Sequence, residues 1–279
     1  MLDEIPVDHL RTWIGKEDHQ TDIITPELLK RFNATLSGYT KINTKLPLGI
    51  HWCLAQPSQT RDSLGEDGHP AKGGFMPPVP LPRRMWASSK IEFNESPGVG
   101  IPIEKTSTIA DVVFKQSAVS GPLVFVHVDN VYSQDNKTLI QDRQIIVYRE
   151  PSAFKQTDSE ELQNSNDSLS IVPDSTLLFR YSALTFNGHR IHYDHNYTRD
   201  VEGYPGLVVH GPLTATLLMN MAQASQPNKT LHKFTFRGTA PTFVDQALTL
   251  LIKDQEATIL EARNHHGALV MSATAEYKN

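Results

Sequence analysis

Cysteine is all but missing from the chain: Cys53 stands alone among 279 residues, so no intrachain disulfide can form and a cysteine-rich metal centre is excluded. A reducing compartment suits that usage. No run of about 18 apolar residues occurs, which excludes a membrane-spanning helix. Positive charge is not in excess either, since 26 basic against 31 acidic residues leave a net charge of -5. The basic footprint of a nucleic-acid binder is therefore absent. The first thirty residues are not the Arg-rich, acid-poor stretch of a transit peptide, because they carry Asp3, Glu4, Asp8, Glu17 and Asp18. The expected location is mitochondrial if a presequence has been removed and cytoplasmic otherwise. There is no Gly-x-Ser-x-Gly elbow to expose a serine nucleophile, and Cys53 lies in an apolar stretch, read as a strand, that marks a packed thiol. What is present, 39% hydrophobic and 20% charged residues, describes a globular chain long enough for one large domain or two of about 140 residues.

Thr25-Pro26-Glu27-Leu28-Leu29 has a capping threonine, a proline at the first helical position and apolar residues continuing at Phe32 and Leu36, which predicts a helix of about three turns. Residues 65–82 are too rich in Gly and Pro for helix or central strand. Strands are predicted near 84–93, 107–118, 121–133 and 138–149, with Leu123-Val124-Phe125-Val126-His127-Val128 the clearest buried run. Residues 151–172 are polar and poor in large apolar groups, so they are read as a linker. It separates a first unit, 1–150, from a second, 173–279. The second unit should repeat the first: a strand near 177–184, a histidine-bearing loop, a helix over His210–Ala224, and strands near 230–238, 246–254, 256–265 and 268–277. That helix carries Leu213, Leu217, Leu218, Met221 and Ala222 and is apolar almost all round. It must be wrapped on several sides, which a curved antiparallel sheet achieves, and two such halves could share one sheet.

Four of the twelve histidines, His189, His192, His195 and His210, fall close together on or beside one loop. Zinc is one use for imidazoles beside Asp194, but no His-x-x-x-His pair on a helix is present. Surface and capping roles are the ordinary alternative.

The pattern Tyr181-Ser182-Ala183-Leu184-Thr185-Phe186-Asn187-x-His189-x-Ile191-His192, followed by His210-Gly211 opening an apolar helix, resembles the MaoC-like, (R)-specific enoyl-thioester hydratases and dehydratases. In the first half His69-Pro70, Gly73-Gly74-Phe75, the run Pro77–Trp86 and Ser120–Val126 resemble the mesaconyl-CoA and itaconyl-CoA hydratase branch, and fungal mitochondrial 3-hydroxyacyl-thioester dehydratases are similar too. The resemblance implies an α+β double hot-dog, with a non-catalytic first half, 1–150, covering a catalytic second half. It implies one active site per chain, since the first half has no comparable Asn/His loop.

The family pattern Gly-Asp-x-Asn-Pro-x-His is altered here: Phe186-Asn187 replaces Gly-Asp, His189-Arg190 replaces Asn-Pro, and His192 keeps its place. An amide cannot carry a proton at neutral pH but can hold water through its oxygen, so Asn187 is expected to orient and His192 to transfer the proton. His189 or Asp194 could supply a second acid/base function. Gly211, at the helix start, corresponds to the family's oxyanion donor, where backbone N–H groups are unpaired. Tyr193, His189 and His210 are expected to touch substrate. Arg83 and Arg84 follow the prolines at 77, 78, 80 and 82, and an arginine suits bidentate capture of a carboxylate or phosphate. Pairing with surface acids is their bland alternative.

The expected activity is reversible hydration of a 2-enoyl-CoA, with a C5 dicarboxylic acyl group such as itaconyl or mesaconyl. No metal or separate cofactor is expected, coenzyme A arriving as part of the substrate; neither nucleic acid nor membrane is expected as a partner, and a homodimer is left open. The alternatives are a 3-hydroxyacyl-carrier-protein dehydratase of mitochondrial fatty-acid synthesis and, in another class, a non-catalytic acyl-thioester binding protein.

Overall fold

The computed structural model describes residues 5–118, 120–151, 154, 167–254 and 256–279. In the first half lie α1 (Val7–Arg11), β1 (Glu17–Ile23), α2 (Pro26–Leu36), β2 (Arg83–Phe93), β3 (Pro102–Ser117), β4 (Gly121–Gln134) and β5 (Lys137–Arg149). The second contains β6 (Ser168–Ile171), α3 (Ser175–Leu184), α4 (His195–Asp200), α5 (Gly211–Ser225), β7 (Thr230–Gly238), β8 (Leu248–Ile252), β9 (Ile259–Asn264) and β10 (Leu269–Lys278).

All the strands join one sheet in the order β1-β3-β4-β5-β2-β7-β10-β9-β8-β6. Followed outward from the middle, each half runs the same path. The halves are joined where β2 pairs antiparallel with β7, Ser88 opposite Arg237 and Glu92 opposite Lys233. This is the double hot-dog with a shared sheet that the sequence suggested. Alternation builds it: along β4, Val124, Val126, Val128 and Tyr132 point into the core while the residues between them stay partly exposed.

Local chemistry fixes the helices. Thr25 Oγ1 accepts the Leu28 N–H at 3.0 Å, with Pro26 opening α2. In α5 Leu213, Leu217, Leu218, Met219 and Ala222 are all fully buried, and the helix packs against β7, β9 and β10. The all-round apolar character is thereby accounted for.

Three expectations change. The segment expected as a strand near 177–184 is α3, because Asp174 caps it through Oδ1 to the Leu177 N–H at 2.7 Å, and its buried residues, Leu177, Leu178, Tyr181 and Ser182, follow helical spacing. Cys53 lies not in a strand but in a single 3-10 turn, Ile50–Cys53; it is buried, and burial pushes its thiol pKa up. The linker read at 151–172 falls mainly outside the described residues, and its end is β6, which pairs with β8.

The two halves also differ in one respect. Between α2 and β2 the first half has only two one-turn 3-10 helices, Ile50–Cys53 and Arg61–Ser63, and no counterpart of α5. Its one three-turn helix, α2, packs on α3. Gly49 at φ 89° and Ala55 at φ 49° bracket the first turn in left-handed backbone, and the Gly/Pro-rich segment beyond cannot propagate a helix.

Candidate active site

The histidine loop leaves α3 through Phe186, whose φ of 48° turns the chain sharply. Asn187 Oδ1 accepts the His189 N–H at 2.9 Å, an Asx turn that shapes the loop. That bond uses one of the oxygen's two lone pairs, and the other, together with the amide N–H groups, can hold water. His192 ends a single turn, Arg190–His192, and its Nδ1 donates to Val208 O at 2.7 Å. The tautomer is fixed, and Nε2 carries the lone pair. His210 stacks flat behind it, ring centroids 3.6 Å apart and planes at 18°, with Nε2 2.8 Å from Ser182 Oγ. Burial pushes His192 down to about 3 and lowers His210 well below its ordinary value, with the neighbouring histidines adding to the latter. Both imidazoles are neutral at pH 7.

His192, His189, Asn187, Tyr193, Arg84 and Gly211 all line one cleft of about 2030 Å³. Gly211 opens α5, where its N–H is among those a helix leaves unpaired. A Cβ at Gly211 would meet only the Trp86 carbonyl oxygen, at 3.8 Å. The space in front of it is therefore open to a ligand.

Other expected residues are placed elsewhere. His210 is fully buried behind His192 and does not line the cleft, so it positions His192 and does not touch substrate. Arg83 is ion-paired with Glu202, donates to Val201 O, and is also outside the cleft. Arg84 lines the cleft, but its Nε and Nη2 grip Asp67 at 2.8 and 3.1 Å. Asp194 caps α4 through the Tyr197 N–H and pairs with Arg190 at 2.8 Å, which removes it as a second acid/base group. His195 is exposed at the start of α4.

The first half supplies what the sequence reading missed. Its loop 64–71 docks on the histidine loop: Arg190 N–H donates to Asp67 O at 2.9 Å and Arg190 Nη1 to Glu66 O at 3.1 Å. Gly68, at φ +86°, lies so close to Gly188 that a Cβ would overlap the Gly188 carbonyl oxygen. This contact brings the His69 ring to 4.4 Å from His189, itself 5.5 Å from His192. Burial opposes the Asp67 charge, but hydrogen bonds from His69 and Arg84 and the Arg84 charge outweigh it and hold the carboxyl well below the usual range. His69-Pro70 in a Gly-rich loop was the only sequence signal.

Ligand atoms of Asp67, His69 and His189 lie within 4.8 Å of one another and could geometrically hold a metal ion. The Arg84 guanidinium on both Asp67 oxygens opposes a divalent cation there.

A repeated hot-dog half and a cleft built on a loop histidine facing an open helix start define a hydro-lyase of acyl thioesters. The chain belongs to the hydroxyacyl-thioester dehydratase type 2 family, whose model matches residues 49–244. It is 42% identical over 271 residues to a mesaconyl-C(4)-CoA hydratase of Chloroflexus aurantiacus, covering 95% of this chain and 96% of that protein. To the mitochondrial hydroxyacyl-thioester dehydratase type 2 of Schizosaccharomyces pombe it is 24% identical, covering 84% and 89%. Among solved structures, HtdX of Mycobacterium tuberculosis superposes with a TM-score of 0.67 at 16% identity, covering 94% of this chain and all of that one.

Proposed function

We propose that the protein reversibly hydrates a C5 dicarboxylic 2-enoyl-CoA of the mesaconyl or itaconyl type. The observation that carries the hydration chemistry is the His192 imidazole, locked with its Nε2 lone pair available and lining the same cleft as the Gly211 helix start. Water loses a proton to His192 as its oxygen attacks the β-carbon. The charge that builds on the thioester oxygen is met by the Gly211 N–H.

Anionic substrate is favoured by the cleft's own charge. The protein is acidic overall, yet Lys72, Lys105, Lys115, Arg149 and Arg237 line the cleft beside the Arg84–Asp67 pair, against Asp18 as the one lining carboxylate among the described residues. Coenzyme A phosphates and a distal carboxylate both suit that field. The 42% identity to a mesaconyl-C(4)-CoA hydratase supports the C5 choice. Arg83 has no part in it, and Arg84 contributes only through its pair with Asp67.

A second reading, dehydration of longer 3-hydroxyacyl thioesters on a carrier protein, is favoured by size: a cleft of 2030 Å³ exceeds the usual ligand pocket of about 300–1,000 Å³. A panel of C5 dicarboxylic, crotonyl and long-chain enoyl thioesters, on coenzyme A and on carrier protein, separates the readings. Fastest turnover of the C5 dicarboxylic coenzyme A esters is expected. Faster turnover of monocarboxylic or carrier-bound esters rejects that substrate class, and tight binding of a saturated acyl-CoA with no turnover of any ester marks a binding protein.

A further inference from the structure

Hydration takes a proton from water and sets a proton on the α-carbon, and His192 accounts for the first of these transfers. The α-carbon gains a proton in hydration and loses one in dehydration, and a group beside it exchanges that proton. Asn187 cannot, its amide being unable to take up and return a proton at neutral pH. Asp194 is spent on α4 and Arg190.

We propose that His69, backed by Asp67, is the second acid/base residue of the site, and that His189 passes the proton between His69 and His192. The inference rests on the hydro-lyase reading above. Asp67 Oδ2 faces His69 Nδ1 at 3.4 Å, while Asp67 Oδ1 accepts the His69 N–H at 3.1 Å. Arg84 anchors the same carboxylate. Nδ1 is at ion-pair distance from the carboxylate without a hydrogen bond to it, so the Asp67 charge favours a transient imidazolium at His69, which lets Nε2 take up and give back a proton. Both His69 and His189 line the cleft, and about a quarter of the His69 side chain, 28%, is exposed into it. Of the neighbouring histidines His69, His189, His192 and His210, His69 is the one at ion-pair distance from a carboxylate among the described residues. The positive charge of a transient imidazolium is best tolerated there.

The step balances. In the hydration direction an O–H bond of water breaks, its proton goes to His192 Nε2, and the hydroxyl oxygen bonds to the β-carbon. The C=C electron pair moves onto the α-carbon and thioester oxygen. The proton then passes from His192 through His189 to His69, whose Nε2 delivers it to the α-carbon as a new C–H bond. One water is consumed and the protein ends as it began. Dehydration runs the same path backward, His69 taking the α-proton first. The first half of the chain, expected only to cover the site, thereby contributes one of the reacting groups.

The test compares wild type with His69→Gln and His69→Ala on whichever enoyl thioester the panel shows to be turned over. For His69→Gln, kcat should fall by about 10²–10⁴ with KM little changed, and added imidazole should restore part of the rate of His69→Ala. Asp67→Asn should lower kcat with KM kept, and Asp67→Glu should recover part of it, which a merely structural role would not produce. More than about a tenth of wild-type kcat in His69→Gln overturns the proposal. So does a folded, acyl-CoA-binding His69→Ala protein that imidazole fails to help. Loss of wild-type activity on chelation, with recovery on adding Zn²⁺, overturns it in favour of a metal at Asp67, His69 and His189. A wild type that turns over no thioester defeats the hydro-lyase reading itself; an active wild type with a near-normal His69→Gln defeats only the relay.

Discussion

Single side chains at this site answer to different neighbours, and substitutions should separate them. His192→Ala removes the imidazole held by Val208 O and stacked on His210, and should cost about 10²–10⁴ in rate while acyl-CoA binding, read by calorimetry, survives. Gly211→Val places branched atoms where the backbone now leaves open space, and kcat should fall by about two orders of magnitude in a protein with an unchanged far-ultraviolet spectrum. Gly68→Ala meets both a left-handed φ and the Gly188 carbonyl, so loop 64–71 should lift off the histidine loop. Its activity should drop well below that of Gly203→Ala, a left-handed glycine with nothing near its Cβ position. At this scale the sequence, through its clustered histidines, pointed to a loop that does line the cleft, by way of His189 and His192. It hid Asp67 and His69, which lie more than a hundred residues earlier and join the site only when two loops dock, and it hid the pairing that withdraws Arg83 to Glu202.

Elements were legible where periodicity was unambiguous. The long strands alternate, Thr25-Pro26 announces α2, and α5 is apolar on every face because sheet surrounds it. α3 was misread because its aromatic and aliphatic residues suit a strand as well as a helix over so short a run; Asp174, one capping oxygen on the Leu177 N–H, decides it. Asp174→Ala should therefore destabilise the protein by about 1 kcal/mol in urea unfolding, and lower activity by loosening the loop that α3 feeds. The missing counterpart of α5 could not be seen in the sequence, since a Gly/Pro-rich loop does not reveal what it displaces.

Taken whole, the molecule buries neutral histidines, and acid should undo it. His51 and His192 are each pushed down to about 3 by burial, below the ordinary imidazole value of 6.5. Between those values the unfolded chain binds protons that the folded one refuses, so stability is complete above about pH 6.5 and is lost as pH falls toward 3, by up to about 1.4 kcal/mol per pH unit for each such histidine. Melting temperatures measured from pH 7 to pH 4 should decline steadily, and a flat profile would contradict the neutral, buried assignment. The β2–β7 ladder carries a consequence of a different kind, one of time. Its hydrogen bonds run unbroken from Ser88–Arg237 to Glu92–Lys233, and the Gly68–Gly188 contact bolts the halves together a second time. Among the described residues these two joints tie the walls of the cleft together, so the expected recognition is of the lock-and-key kind, with no slow closure after encounter. Stopped-flow binding of a saturated acyl-CoA should show a single phase whose rate rises linearly with ligand concentration, and a rate that reaches a plateau would reveal a gate that the joined sheet does not provide.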